Sequence, residues 1–511
     1  MRNRFKLTLL MALAIAANLS AQKVSFDDVL TIELKNMGSI IKNNEVTGYF
    51  MFYKVDKVDR NTNAYLLRIL DANLNEVSTD KITESKHFSL KEASYDGQTI
   101  MLKFYDLKDK QAIFYQYDQN AKVKLKKTYP LSKQEIQMAN AQNSEEIKSF
   151  SLFDLENKGF LNYSVVKNKD LGYEIRFFPE EGEKGWVYKS DEESKNYDFA
   201  SFLAANDKVV FTSISSRPGI MSKKITYLLL GVDLSTGKKV FEKPLVDSKY
   251  KLQVMNGYTD ETTGNIVLFG LYYEDDEKIG KDQSNGLFAV TLDNKGDYVA
   301  KKFLSWEKDV SKVLPVNERG KIKDVGYLFF HNIFRTSDGK VFAIGEQYRK
   351  AASGWGIASA VLGGGGNVGM AKMVVEDLYI MQFSADFTLE SVKVFDKTRN
   401  DIEMPGGSEY VSPQLLAYLV KAYDGFDYSF TQLNKDKSVY SVGYLDWSRS
   451  AKSMIFGAVT WADNEFSTDQ LKLKTEASSL RVFPGKPGYV MISEYFRKQK
   501  KLETRLEKIN Y

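Results

Sequence analysis

GNIVLFGLYYEDDEKIGKDQSNGLFAVTLDNKGDYVA, residues 264–300, carries the pattern on which the fold reading rests. A glycine turn opens an apolar strand, GNIVLFGLYY, and a polar connection follows. A second apolar strand, GLFAVTL, ends at Asp293, turns, and returns as a more polar strand. Neither apolar strand alternates with polar residues, as expected of strands covered on both faces.

The same unit recurs along the whole chain, and a period of this kind takes precedence over any element-by-element reading. We call its strands a to d, with a short strand a ahead of the glycine turn. Strand b begins at Gly48, Gly97, Gly159, Asp207, Gly264, Gly339, Lys437 and Gly488, as in GYFMFYKV, DKVVFTSIS and GKVFAIGEQY. Strand c begins at Ala64, Gln111, Tyr173, Thr226, Gly286, Leu378 and Met454, and an eighth, TRLEKINY, at Thr504. Asp71, Asp118, Asp233, Asp293 and Asp463 fall at the c-to-d turns, where a short acceptor side chain can bond backbone further on.

Short sheets that bury both faces against their neighbours suit a radial array. The sequence therefore predicts an all-β protein, a β-propeller of seven or eight four-stranded blades. The eighth unit lacks a strand d, while VSFDDVLTIELK from Val24 has no assigned place. Pairing of these N- and C-terminal strands would complete the last blade and close the ring. The alternative is an open array or a pair of sandwiches. Helix is expected only over residues 133–147 and 413–423, as connectors between blades.

Arg2, Arg4 and Lys6 precede an apolar run over residues 7–19, and Ser20 and Ala21 follow it. That is the layout of a secretory signal peptide over residues 1–21, so export to the periplasm or the extracellular space is expected. A single β-propeller domain is expected over residues 22–511, with no later stretch apolar enough to span a membrane. The 511 residues contain no cysteine, which removes disulfides, thiolate nucleophiles and cysteine zinc sites together. With 71 Lys and Arg against 67 Asp and Glu, the net charge of +4 is too small over this length to mark a nucleic-acid partner. Hydrophobic residues at 43% and aromatics at 13% supply ample material for a strand-rich core.

One segment departs from the repeat. AASGWGIASAVLGGGGNVGMAKM, residues 351–373, is a Gly-rich insertion between b and c of the sixth unit, with Lys372 as its one charge. Gly364 to Gly369 match GxGxxG spacing, but a dinucleotide fingerprint needs a strand directly before and a helix directly after, and neither fits. A phosphate loop fails because Met370 stands where lysine should follow. Two readings remain: a hairpin tip that tucks onto its own protein, or an exposed contact loop. In the second, Trp355, Ile357, Val361 and Leu362 would meet a protein, a glycan or a membrane surface.

Histidine occurs only at positions 87 and 331, and no GxSxG elbow is present, so a catalytic triad has little to draw on. EDDEKIGKDQSNG from Glu274 and DANLN from Asp71 both lack the order of a calcium loop and read as hairpin turns. No catalytic residue, metal ligand or cofactor is nominated. Two function classes follow: a non-catalytic binding or scaffold protein of the cell envelope, and a secreted glycan-acting hydrolase or lyase using carboxylates of the central channel. Scarce histidine favours the binder. An apolar patch on one rim would mark it, and converging acidic and basic side chains at a channel mouth would mark the enzyme.

The signal ending in LSAQ, the absence of cysteine, the Tyr- and Phe-rich repeated strands and the GWGIASAVLGGGG insert resemble exported proteins of unknown function from Bacteroidetes-type bacteria. The resemblance implies β-propeller-like repeats and export, and it transfers no activity and no functional residue.

Overall fold

The computed structural model describes residues 22–32, 36–141, 151–180, 184–219, 222, 224–322, 326–352, 371–404, 408, 411–448 and 452–510. Eight antiparallel blades form a propeller ring, each built on four strands, with a fifth strand added to blade 6. Seven are continuous in sequence, over residues 37–85, 88–130, 152–189, 197–244, 250–305, 327–403 and 428–473. The eighth takes strands a to c from residues 479–508 and its outermost strand from Lys23–Phe26. The count is thus eight.

Burial follows the reading of the strands. Strand b of blade 5, Ile266–Glu274, is buried at every position except its last. The return strand of blade 1, Glu76–Ser85, is exposed or half-buried throughout, because it forms the outer edge. The cores lie between blades. Phe52 of blade 1 meets Phe104 of blade 2 at 5.0 Å, Phe269 of blade 5 meets Phe330 of blade 6 at 5.2 Å, and Phe342 of blade 6 meets Tyr440 of blade 7 at 4.9 Å. Strands a of neighbouring blades lie side by side around most of the ring, which places them innermost.

Closure joins the two ends of the chain. Lys23–Phe26 runs antiparallel to Lys501–Lys508, with Lys23 opposite Arg505, Val24 opposite Thr504, Ser25 opposite Glu503 and Phe26 opposite Leu502. The strand is shorter than VSFDDVLTIELK suggests. Asp28 adopts a left-handed backbone at φ 58°, which ends the ladder, and the chain then crosses to blade 1. There Leu30 donates to Lys54 O at 2.9 Å and Lys54 donates back to Thr31 O at 3.0 Å. Phe26, Val29, Tyr49, Met51, Met491, Leu502 and Leu506 fill the core between blades 8 and 1.

The c-to-d turns show the expected chemistry at four of five positions. Asp71 Oδ1 accepts from Asn73 N and Asn75 N, both at 2.8 Å, and Asp118, Asp233 and Asp293 accept from turn amides in the same way. Asp463 differs: with Asn464 it takes positive φ (50° and 65°), forming the tight turn itself rather than accepting into it. Helix α1, Lys133–Ala141, joins blades 2 and 3 and starts with a reciprocal cap between Ser132 and Glu135. Helix α2, Pro413–Ala422, joins blades 6 and 7, with Ser412 Oγ accepting from Leu415 N. Among the described residues no helix is long and apolar enough to cross a membrane.

Candidate ligand cleft

Blade 6 is the irregular blade, and the site grows from its irregularity. Strand c, Ala371–Phe383, is the longest of its kind, and strand b, Val341–Ala352, is matched only by that of blade 1; both run on towards the Gly-rich insertion. A fifth strand, Asn400–Glu403, pairs with the extension through Lys372 opposite Glu403 and Val375 opposite Asn400. Helix α2 packs its buried face, Leu416, Ala417 and Val420, on Tyr348, Met373 and Val375 of that extension. Trp355, Ile357, Val361 and Leu362 lie outside the described residues; the extension is the root from which they spring.

Between this root and blades 7 and 8 lies a cleft of about 610 Å³, bordered by Arg399, Asn400, Asp401, Asp424, Asp427, Asp446, Trp447 and Arg481. Trp447 is the last residue but one of strand b of blade 7, Tyr440–Ser448, and is 48% exposed. The buried Trp186, Trp306 and Trp461 serve the core, so an indole left facing a cleft is the exception. The carboxylates around it are engaged. Asp401 receives Arg399 through two bonds of 2.5 and 2.7 Å and Lys372 at 2.7 Å. Asp424 receives Arg481 from blade 8 at 3.0 Å. Asp446 accepts from Thr398 N at 3.2 Å and Trp447 N at 2.6 Å.

Beneath the cleft sits a buried charge cluster. Lys397 Nζ donates to Asp427 Oδ2 at 2.8 Å and to Glu346 Oε1, and the side chains of Lys397 and Glu346 are fully inaccessible. Asn400 Nδ2 donates to Asp427 Oδ1 at 2.9 Å, and Tyr428 N donates to Glu346 Oε2 at 3.0 Å. Burial and the neighbouring Glu346 push the Asp427 carboxyl up to about 6, against the pull of Lys397. Burial alone would raise Glu346 too, but Lys397 and His331 outweigh it and hold Glu346 at about 2. Lys397 keeps its proton because the two carboxylates overcome its desolvation.

His331 completes the cluster. Its Nε2 lies 2.9 Å from Glu346 Oε2, and its ring stacks on Tyr428 at 4.6 Å with an interplanar angle of 3°. Burial drives its pKa down to about 4, so the imidazole is neutral at physiological pH and packs as an aromatic ring. His87 sits exposed in the turn ahead of blade 2, away from this site.

The cluster was legible in part. Glu346 follows VFAIG, a run apolar on both faces, and an ionised group buried there requires a partner. Lys103 in TIMLKFY carries the same signal and leads to a second buried group, in which its Nζ lies 2.6 Å from Ser151 Oγ and 3.7 Å from Glu92. Burial opposes the Lys103 charge, but Tyr105 and Glu92 outweigh it and raise the pKa. Ser151 Oγ in turn donates to Glu92, and Glu92 accepts from Ser151 N and Leu152 N, so the group braces blade 2 against the start of blade 3.

On the opposite rim, the a-to-b turns of blades 1 and 3 to 7 converge on a funnel of about 1140 Å³. Acidic and basic side chains meet there, but in pairs between blades: Lys158 with Asp207 at 2.5 Å, Arg335 with Asp260 at 2.8 Å and Lys437 with Glu261 at 2.5 Å. Asp154 accepts from Ser94 at 2.7 Å. Among the described residues no group of three or more His, Asp or Glu is placed to hold a metal ion. In the acidic hairpin from Glu274, Glu277 is held by Arg319.

With this geometry in hand, the chain can be set beside known proteins. A family model described as "Family of unknown function (DUF6770)" matches residues 1–510. A search of curated proteins finds no match. Among solved structures, the WD40 domain of SCAP from fission yeast is similar at 9% identity and a TM-score of 0.37, over 95% of this chain and 94% of that one. A prolyl oligopeptidase B from Galerina marginata gives 8% identity and a TM-score of 0.41 over 92% of this chain, which spans 57% of that protein. The polysaccharide lyase Uly1 gives 9% identity and a TM-score of 0.34, over 93% and 90%. Likeness this remote carries no argument about activity.

Proposed function

Since the chain belongs to that family of unknown function, which supplies no activity, we propose from the geometry that it is an exported, non-catalytic binding protein of the cell envelope. Its ligand is a glycan held in the cleft between blades 6 and 8. The observation that carries this reading is the half-exposed Trp447 set among side chains that already have partners. Asp401, Asp424 and Asp446 are each tied to a cation or to backbone amides, which suits fixed hydrogen-bonding groups better than groups that must gain and lose protons. An indole face beside preorganised polar groups fits a sugar ring, with one apolar face and a polar edge. We keep Trp355, Ile357, Val361 and Leu362 of the insertion, which follows Ala352 in the sequence, as a proposed second contact with the ligand or its carrier surface. Export rests on the signal-like residues 1–21.

The test is a screen of soluble oligosaccharides by tryptophan fluorescence, followed by titration of any hit. Trp447→Ala should weaken binding at least tenfold, about 1.4 kcal/mol, with the melting midpoint nearly unchanged. Equal affinity of the variant and the parent, or no response to any glycan, would overturn the reading.

A further inference from the structure

We propose that Lys397 and Asp427 join in an intramolecular amide, formed by the protein itself, which covalently ties the end of blade 6 to the start of blade 7. The inference rests on the buried cluster and is independent of what the cleft binds. Its parts are a nucleophile, an electrophile, a proton acceptor and a donor to the developing oxygen, joined by hydrogen bonds, with Lys397 and Glu346 sealed from water and Asp427 at the floor of the cleft.

Lys397 Nζ is 2.8 Å from Asp427 Oδ2, which brings the carboxyl carbon within one further bond length. Glu346 accepts from the same Nζ and is held by Tyr428 N on its other oxygen. Asn400 Nδ2 is 2.9 Å from Asp427 Oδ1, where charge would build in a tetrahedral intermediate. The Lys397 and Glu346 side chains are 0% exposed and Asp427 is 10% exposed. Tyr428, Tyr444 and the neutral His331 wall the group, and Lys421 faces the imidazole from helix α2.

The two carboxylates hold Lys397 charged, so release of its proton to Glu346 is the uphill part of the step, and the contact between the groups is what makes it reachable. Two carboxylates share one ammonium, so one of them takes up a proton readily, and the raised pKa of Asp427 makes it that one. Lys397 passes one proton to the Glu346 carboxylate and becomes a neutral amine. Nζ then attacks Cγ of the Asp427 acid, and a C–N bond forms. The Cγ–O bond to the hydroxyl breaks, and that hydroxyl leaves as water with a second proton from Nζ, relayed through Glu346. One amide, one water and a protonated Glu346 result, with no oxidant and no co-substrate. The reaction also removes two buried charges, whose desolvation opposes folding, and replaces them with a neutral group. Held reactants need no encounter step, which is what allows such a condensation to proceed unaided. In a chain without cysteine the link would do the work of a disulfide, enclosing helix α2 in a covalent loop.

The experiment is mass spectrometry on the purified full chain, read on the peptides that contain positions 397 and 427, so that processing elsewhere has no bearing. The expected result is a branched peptide lighter than its two parts by one water, with no tryptic cleavage after Lys397. Glu346→Gln should leave both peptides separate. Asp427→Asn, with Glu346 intact, should still form the link, with loss of ammonia in place of water, a signature that mere proximity cannot produce. Two separate unmodified peptides and normal cleavage after Lys397 in the parent protein overturn the proposal, whether or not the variants fold.

Discussion

A chain that starts at residue 33, stripped of Lys23–Phe26 and the crossing that follows, is expected not to form a stable ring. The deletion removes the outermost strand of blade 8 and exposes the backbone ladder of Lys501–Lys508. It also removes Phe26, Val29 and Ile32 from the core between blades 8 and 1. Phe26 alone corresponds to about 3–5 kcal/mol by the measure of large-to-small core changes. The three together approach the whole stability of an ordinary domain, about 5–15 kcal/mol. Tyr495 Oη would lose its acceptors, the carbonyls of Val29 and Leu30, and become a buried group without a partner. Urea unfolding followed by circular dichroism measures this. A truncated chain with the parent's midpoint would mean that the ends do not close the structure.

Lys397→Ala is expected to be the most damaging single substitution near the cleft. It leaves Glu346 and Asp427 facing each other in a buried site, and breaking such a pair costs about 3–5 kcal/mol. The loss should grow with pH. Carboxylates without their ammonium have folded pKa values raised above the unfolded ones, so they are tolerated while protonated in acid. They destabilise the fold as pH rises through those values and the charge appears. The gap between parent and variant should therefore be wider at pH 8 than at pH 5, and adding Glu346→Gln should recover part of it. If the amide forms, the same substitution removes a cross-link as well, and the deficit lies at the upper end. Equal urea midpoints for parent and variant at pH 8 would show that the cluster contributes nothing to stability.

The architecture was readable because each blade repeats one local instruction: a turn, an apolar strand covered on both faces, an Asp-led turn and a polar edge. A fault in one unit, such as the atypical Asp463 turn, is outvoted by seven others. The closing strand was located but drawn too long, because apolar residues continue past Phe26 in VLTI. The break comes from Asp28 in the left-handed region, which hydrophobic patterning does not register. The cleft was a different matter. Glu346 and Lys397 are 51 positions apart and Lys397 and Asp427 are 30 apart, so only the folding of blade 6 and the start of blade 7 brings them together. Trp447 was one aromatic among many in the sequence. Its importance lies in being left exposed, a property that exists only once the blades are packed.

Closure of the ring by its own termini is the claim on which the rest stands, and a cysteine-free chain allows a clean test of it. Ser25 and Glu503 face each other across the joining strands near the surface. Directly opposed residues of an antiparallel pair come within the span of a disulfide. The Ser25→Cys, Glu503→Cys double variant, oxidised in dilute solution and digested, should yield one peptide pair joined between positions 25 and 503, with no dimer. Free thiols at both positions, or links only between separate molecules, would contradict the closed eight-bladed ring.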